Sequence, residues 1–205
     1  MKHKAKVGWA LVAAVLAGAG APAWPGETAG GPRASAALAA LTADLRGTDS
    51  ASEVLRRWCE VSGWAKPAAI TAIRQGEIDK PADAGVRALL SARPGEAIRY
   101  RRVKLTCGVH VLSEADNWYL PARLTPEMNR RLETTQTPFG VVARPLAFHR
   151  RIVEIEPLAG PRQALRVRAV LIAGAGAPFS VVAETYSREL LSITPPPSLN
   201  TGARF

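Results

Sequence analysis

Histidine and cysteine are scarce in this chain, three of the first and two of the second among 205 residues. That scarcity argues first against metal chemistry. His3, His110 and His149 stand far apart, and neither Cys59 nor Cys107 has a ligand-spaced histidine nearby, so no zinc-type donor set is present. A glycine-rich phosphate loop and a nucleophile elbow are missing too, as are zinc-finger and RNA-binding signatures. The main apolar run, Val7 to Ala19, is about 13 residues, short of the roughly 20 that a membrane span needs. No internal repeat is visible. No metal, nucleotide or other cofactor is therefore expected, and any activity must rest on a sparse set of side chains.

That run is flanked by Lys2, Lys4 and Lys6 on one side and by Ala21-Pro22-Ala23 on the other. Residues 1–23 read as a cleavable secretory signal, an uncleaved anchor being the alternative. The expected location is periplasmic or secreted, with no stable membrane span after cleavage. Losing three lysines lowers the net charge from +10 to +7. The remaining excess is mostly arginine and is spread along the chain: Arg56, Arg57, Arg99, Arg101, Arg102, Arg130, Arg131, Arg150 and Arg151. It reads as a solvated basic surface with some attraction for anions, and no nucleic-acid partner is expected. In an oxidising compartment Cys59 and Cys107 either pair in a disulfide or stay as separate buried thiols.

Residues 24–34, rich in glycine and proline, read as a flexible leader, residues 35–192 as one domain, and residues 193–205 as a disordered tail. Leu38, Leu41 and Leu45 predict a helix from Ser35 to Arg46 that Gly47 ends. Asp49-Ser50-Ala51-Ser52 offers N-caps for a second helix, with Val54, Leu55, Trp58 and Cys59 behind them. Strands are predicted at 69–74, 98–106 and 109–117, then at 146–155, 164–173 and 179–186, the last two joined by Gly174-Ala175-Gly176-Ala177. Val86, Leu89 and Leu90 mark a short helix or packed loop. Thr125-Pro126 opens another helix. Antiparallel hairpins interrupted by helices define an α+β domain.

On the strand Arg101-Arg102-Val103-Lys104-Leu105, period-two alternation puts Arg101 in line with Val103 and Leu105. Arg101 then points at the core, where an unpaired guanidinium is costly, or else snorkels outward from a strand end. Arg102, on the other face, is the better candidate for solvent. Glu184 shares a face with Val182 and Tyr186, so it is either paired or near a ligand. With the apolar turn Thr137-Pro138-Phe139-Gly140 between them in sequence, this cation and anion suit a pocket for a small aromatic acid.

From about Leu41 to Leu191 the chain resembles the chorismate lyase (chorismate pyruvate-lyase) family. The resemblance lies in Asp49-Ser50-Ala51-Ser52, Ile70-Thr71-Ala72-Ile73-Arg74-Gln75-Gly76, Arg101 to Leu105, Thr137 to Gly140, and Glu184, in that order. It implies a six-stranded antiparallel sheet flanked by helices, with an internal ligand cavity closed by helical flaps. It also implies elimination of pyruvate from chorismate to give 4-hydroxybenzoate, the step that leads toward ubiquinone. By motif, Arg101 would take a ligand carboxylate, Glu184 the ring hydroxyl, and Ala51 and Phe139 would supply further substrate contacts, in a monomer. Two features depart from the family. Leu112 to Tyr119 is polar and aromatic where the family has a short Ala-Arg strand, and export would separate the protein from cytoplasmic chorismate. The alternatives are a periplasmic binding protein for a small aromatic acid, and an envelope scaffold in which Arg101 and Glu184 are exposed and do not converge.

Overall fold

A computed structural model describes residues 31–197. The expected signal, residues 24–30 of the leader and residues 198–205 of the tail lie outside the described residues. Six antiparallel strands form one sheet: β1 (Ile70–Arg74), β2 (Arg99–Cys107), β3 (His110–Tyr119), β4 (His149–Pro157), β5 (Gln163–Ile172) and β6 (Pro178–Ser187). Their order is β1-β2-β3-β6-β5-β4. The α+β class and six-stranded antiparallel sheet expected from the sequence are the observed ones.

Five helices accompany the sheet: α1 (Pro32–Arg46), α2 (Ala51–Ser62), α3 (Ala84–Leu89), α4 (Pro126–Thr134) and α5 (Phe139–Val142). Helix α1 starts ahead of Ser35 because Pro32 is preset for a first helical turn and has no N–H to satisfy. Ser50 caps α2, its hydroxyl accepting from the Glu53 N–H at 3.3 Å, and Gly63 ends it at φ 69°. Thr125 caps α4 in the same way. Thr137-Pro138-Phe139-Gly140, expected as a turn, leads into the single helical turn of α5.

On the front face of the sheet, α1 and α2 pack Leu41, Leu45, Leu55 and Trp58 over Val103, Leu105, Val167 and Tyr186. Beside them α4 and α5 bring Leu132, Phe139 and Val142 onto Tyr119, Leu171 and Val182. The Trp58 indole N–H donates to Asp44 at 2.9 Å, tying α2 to α1. On the back face Val86 and Leu90 cover Trp118, Val170 and Val181. Strand positions alternate between the two faces as period two requires, except where the register shifts at Leu105/Thr106, Ile152/Glu154, Gln163/Leu165 and Leu171/Ile172.

Cys59 and Cys107 form a disulfide between α2 and the end of β2, which settles the alternative left open above. Both are fully buried, and chain entropy for a 48-residue separation corresponds to about 4 kcal/mol. At the C-terminal end, a 3₁₀ turn at Arg188–Ser192 is followed by Ile193 and Pro196, both buried. The packed chain therefore extends past Ser192, and the tail expected from residue 193 is folded against the domain as far as Pro197. Among the described residues no helix is long and apolar enough to cross a membrane.

Candidate ligand-binding site

The two cores on the front face meet over a stretch of sheet that carries charge. Arg101 on β2 lies opposite Asn117 on β3, which lies opposite Val182 on β6. One step along, Val103 faces Ala115 and Ala115 faces Glu184. Arg101 and Glu184 thus share one face, two strands apart and two residues out of register. Sheet spacing puts their Cα atoms about 12 Å apart. Above them stand the start of α2 (Asp49 to Ser52), the start of α5 (Phe139 and Gly140) and Phe148. These roof segments meet closely: a Cβ at Gly140 would stand 3.7 Å from the Phe148 ring and 3.9 Å from the Ser50 hydroxyl. Asp49 accepts from the Arg150 backbone N–H at 2.7 Å, which fastens the roof to β4.

The cavity between roof and sheet is about 50 Å³, room for only a few waters. Ala51, Arg101, Phe139 and Glu184, the four residues singled out from sequence, all line this one cavity. Val103, Leu105, Leu171 and Val182 make its walls apolar. An envelope scaffold would have left Arg101 and Glu184 exposed and apart; they are 3% and 6% exposed.

The two charges are held differently. Arg101 makes one long contact, from Nη2 to the Thr137 carbonyl at 3.5 Å, and its Nε has no partner among the described residues. Burial, and after it the nearby Arg74, pulls its pKa down from the ordinary guanidinium range to about 10. Glu184, by contrast, is capped. Its Oε2 accepts from Arg150 Nη2 at 2.5 Å and from the Tyr186 hydroxyl at 2.9 Å. Arg150 also donates to the Leu45 carbonyl at 3.2 Å. Burial alone would lower the Arg150 pKa, but Glu184 and Tyr186 outweigh it and the net direction is upward. The Tyr186 hydroxyl is raised well above 10, by burial first and then by Glu184.

Arg150 corrects the sequence reading, which placed it and Arg101 in a solvated basic surface. Its side chain is almost fully buried, because Arg150 and Ile152 share the inward face of β4, opposite Leu171 and Ala169. The alternation that identified Arg101 applies equally there. Arg102 is also less solvated than expected: on the back face it bonds Glu114 and Asp116, each at 2.7 Å. Asn117 and Phe148, which also line the cavity, carried no signal in the sequence, since polar and aromatic residues are ordinary in strands and loops. Among the described residues no cluster of three or more histidine, cysteine, aspartate or glutamate side chains could hold a metal ion. The cavity thus holds one unpaired buried cation and one capped carboxylate between largely apolar walls.

No family model matches the chain. It is 39% identical over 196 residues to the uncharacterized protein y4mC of Sinorhizobium fredii, covering 84% of this chain and 83% of that one. The chain belongs to the same family as y4mC. Solved structures similar to it include YydK of Bacillus subtilis, a possible transcriptional regulator, at 15% identity and a TM-score of 0.42 over 63% of this chain. The chain spans 62% of YydK, less than two thirds of its length. The effector domain of PhnF from Mycobacterium smegmatis is 12% identical with a TM-score of 0.43, over 58% of this chain and 81% of that domain.

Proposed function

We propose that this protein binds a small aromatic carboxylic acid in the roofed cavity on the front of its sheet. Arg101 carries the proposal. A guanidinium that is 3% exposed, with Nε unpartnered, is destabilising unless an anion arrives to receive its hydrogen bonds. The carboxylate would lie on Arg101, the ring between Phe139 and the apolar wall at Leu171 and Val182, and a ring hydroxyl would donate to Glu184. Export supports a binding role outside the cytoplasm. The basic start with its apolar run motivates that location, and a buried disulfide fits an oxidising compartment. Calorimetric titration of the purified chain with 4-hydroxybenzoate tests the proposal. Saturable binding that disappears in Arg101→Met is expected; identical binding by the variant would refute it.

A second reading is turnover: elimination of pyruvate from chorismate. It is favoured by the convergence of Ala51, Arg101, Phe139 and Glu184 on one cavity. Breaking the carbon–oxygen bond to the enolpyruvyl group and losing a ring hydrogen makes the ring aromatic, so the reaction is downhill. The protein would only have to hold the reactive conformer and exclude water. Incubation with chorismate, followed by chromatography for 4-hydroxybenzoate, separates the readings: product above the uncatalysed background establishes turnover, and its absence from a folded sample leaves binding alone.

A further inference from the structure

The buried charges that face the cavity do not balance, and the imbalance is one. Four charged side chains line it: Asp49, Arg101, Arg150 and Glu184. Asp49 is exposed at the mouth, where water screens it. Within the cavity Arg150 and Glu184 neutralise each other at 2.5 Å, with side chains 1% and 8% exposed, and Tyr186 adds a donor to the same carboxylate oxygen. Arg101 remains as a single uncompensated positive charge, on the far side of β3 from Glu184.

Resting on the reading that the cavity takes a small aromatic acid, we propose that the Arg150–Glu184 pair makes it selective for a monoanion. The ligand's carboxylate sits on Arg101, and at the opposite end a neutral hydrogen-bond donor meets Glu184. A second negative charge at that end meets a carboxylate whose cation is already engaged. It would be desolvated without a partner, which a buried, largely apolar cavity does not tolerate. Arg150 is then a specificity-determining residue that acts through Glu184. By holding the carboxylate aimed, it keeps that end an acceptor of hydrogen bonds rather than of anions. A dicarboxylate such as chorismate is a poor ligand on this account.

The probe is 3,5-difluoro-4-hydroxybenzoate, whose fluorines bring the phenol's ionisation near neutrality with little change of size. Its ultraviolet spectrum distinguishes phenol from phenolate while it is bound. In the wild-type chain the bound phenol should titrate at least about one pH unit above the free ligand, a tenfold or greater preference for the monoanion. In Glu184→Gln, Arg150 loses its counter-charge, and the shift should vanish or reverse. A wild-type shift that is zero or downward overturns the selectivity while leaving the binding reading intact. Failure of the probe and of 4-hydroxybenzoate to bind at any pH overturns both. The wild-type titration decides by itself if Glu184→Gln does not fold.

Discussion

Replacing Arg101 by methionine should separate stability from binding, because the guanidinium harms the empty fold and serves only the occupied one. The fall of its pKa from the ordinary guanidinium range to about 10 corresponds to roughly 3 kcal/mol of unfavourable burial of the charged form, at 1.36 kcal/mol per pH unit. Methionine removes that cost and keeps most of the apolar stem. Its smaller volume returns about 1 kcal/mol through imperfect packing. A net gain of about 1–2 kcal/mol follows. In a domain of this size that raises the melting temperature by roughly 2–4 °C per kcal/mol. The sign with pH is set by linkage. The folded pKa lies below the unfolded one, so above about pH 10 the unfolded chain holds the extra proton, and the cost of Arg101 fades as pH rises toward the ordinary guanidinium range. The advantage of the variant should therefore be full at pH 8 and shrink above pH 10. Urea denaturation at both pH values, with and without 4-hydroxybenzoate, reads everything. Ligand at a hundred times its Kd should stabilise the wild type by about 2.7 kcal/mol and leave the variant unmoved. A folded variant that is less stable than wild type by 1 kcal/mol or more in the absence of ligand would show that Arg101 has a structural partner, and the argument would fail.

Removing the partner of Arg150 should hurt where removing Arg101 helps: Glu184→Ala leaves a buried cation uncompensated and should cost about 3–5 kcal/mol in urea denaturation. The double replacement Arg150→Met, Glu184→Met should recover most of that loss, and a double-mutant cycle measures the coupling. Replacing Cys59 and Cys107 together by alanine should lower stability by about 2–4 kcal/mol, read from the denaturation midpoint under non-reducing conditions. Gly108 turns the β2–β3 hairpin at φ 57°, and an added Cβ would stand 3.3 Å from the Trp64 carbonyl. Gly108→Ala should therefore cost at least about 1 kcal/mol, whereas Gly140→Ala, which meets only ordinary contacts, should leave the melting temperature nearly unchanged.

Period-two alternation made most of the sheet legible: the strand from Arg99 to Cys107 shows its inward face in Arg101, Val103 and Leu105 without help from the rest of the chain. Caps did the same for α2 and α4, where Ser50 and Thr125 each serve a backbone N–H three residues on. Pairing order was not legible. That β3 neighbours β6, and so brings Glu184 within two strands of Arg101, depends on contacts between residues some 70 apart in sequence, about which local pattern is silent. The status of Glu184 was half legible. Apolar neighbours showed that it must be paired or near a ligand, but its partner Arg150 looked like one more member of a basic surface. Charge count alone cannot distinguish a solvated arginine from a buried one; face assignment can, and the alternation around Ile152 supplied it. The disulfide was undecidable from two cysteines, because only the docking of α2 against the end of β2 brings their Cα atoms to 5.9 Å.

The cavity also explains why this stretch of sheet is polar at all. Elsewhere on the front face most inward positions are aliphatic or aromatic, among them Val103, Leu105, Val167 and Tyr186, which stabilise by burial. Between the two cores they give way to Arg101, Asn117, Arg150 and Glu184, all under 10% exposed. A buried ion pair does little for folding, since desolvation offsets its attraction, and Arg101 works against it. Apolar side chains at those four positions would fuse the two cores into one and give a more stable domain. The fold instead keeps them apart with a roof of two helix starts, tied to β4 by the hydrogen bond from the Arg150 backbone N–H to Asp49. A domain selected only to be stable has no use for that arrangement, whereas one that must release and re-accept an anion does, because an unpaired cation inside a closed space makes the occupied state the better-satisfied one.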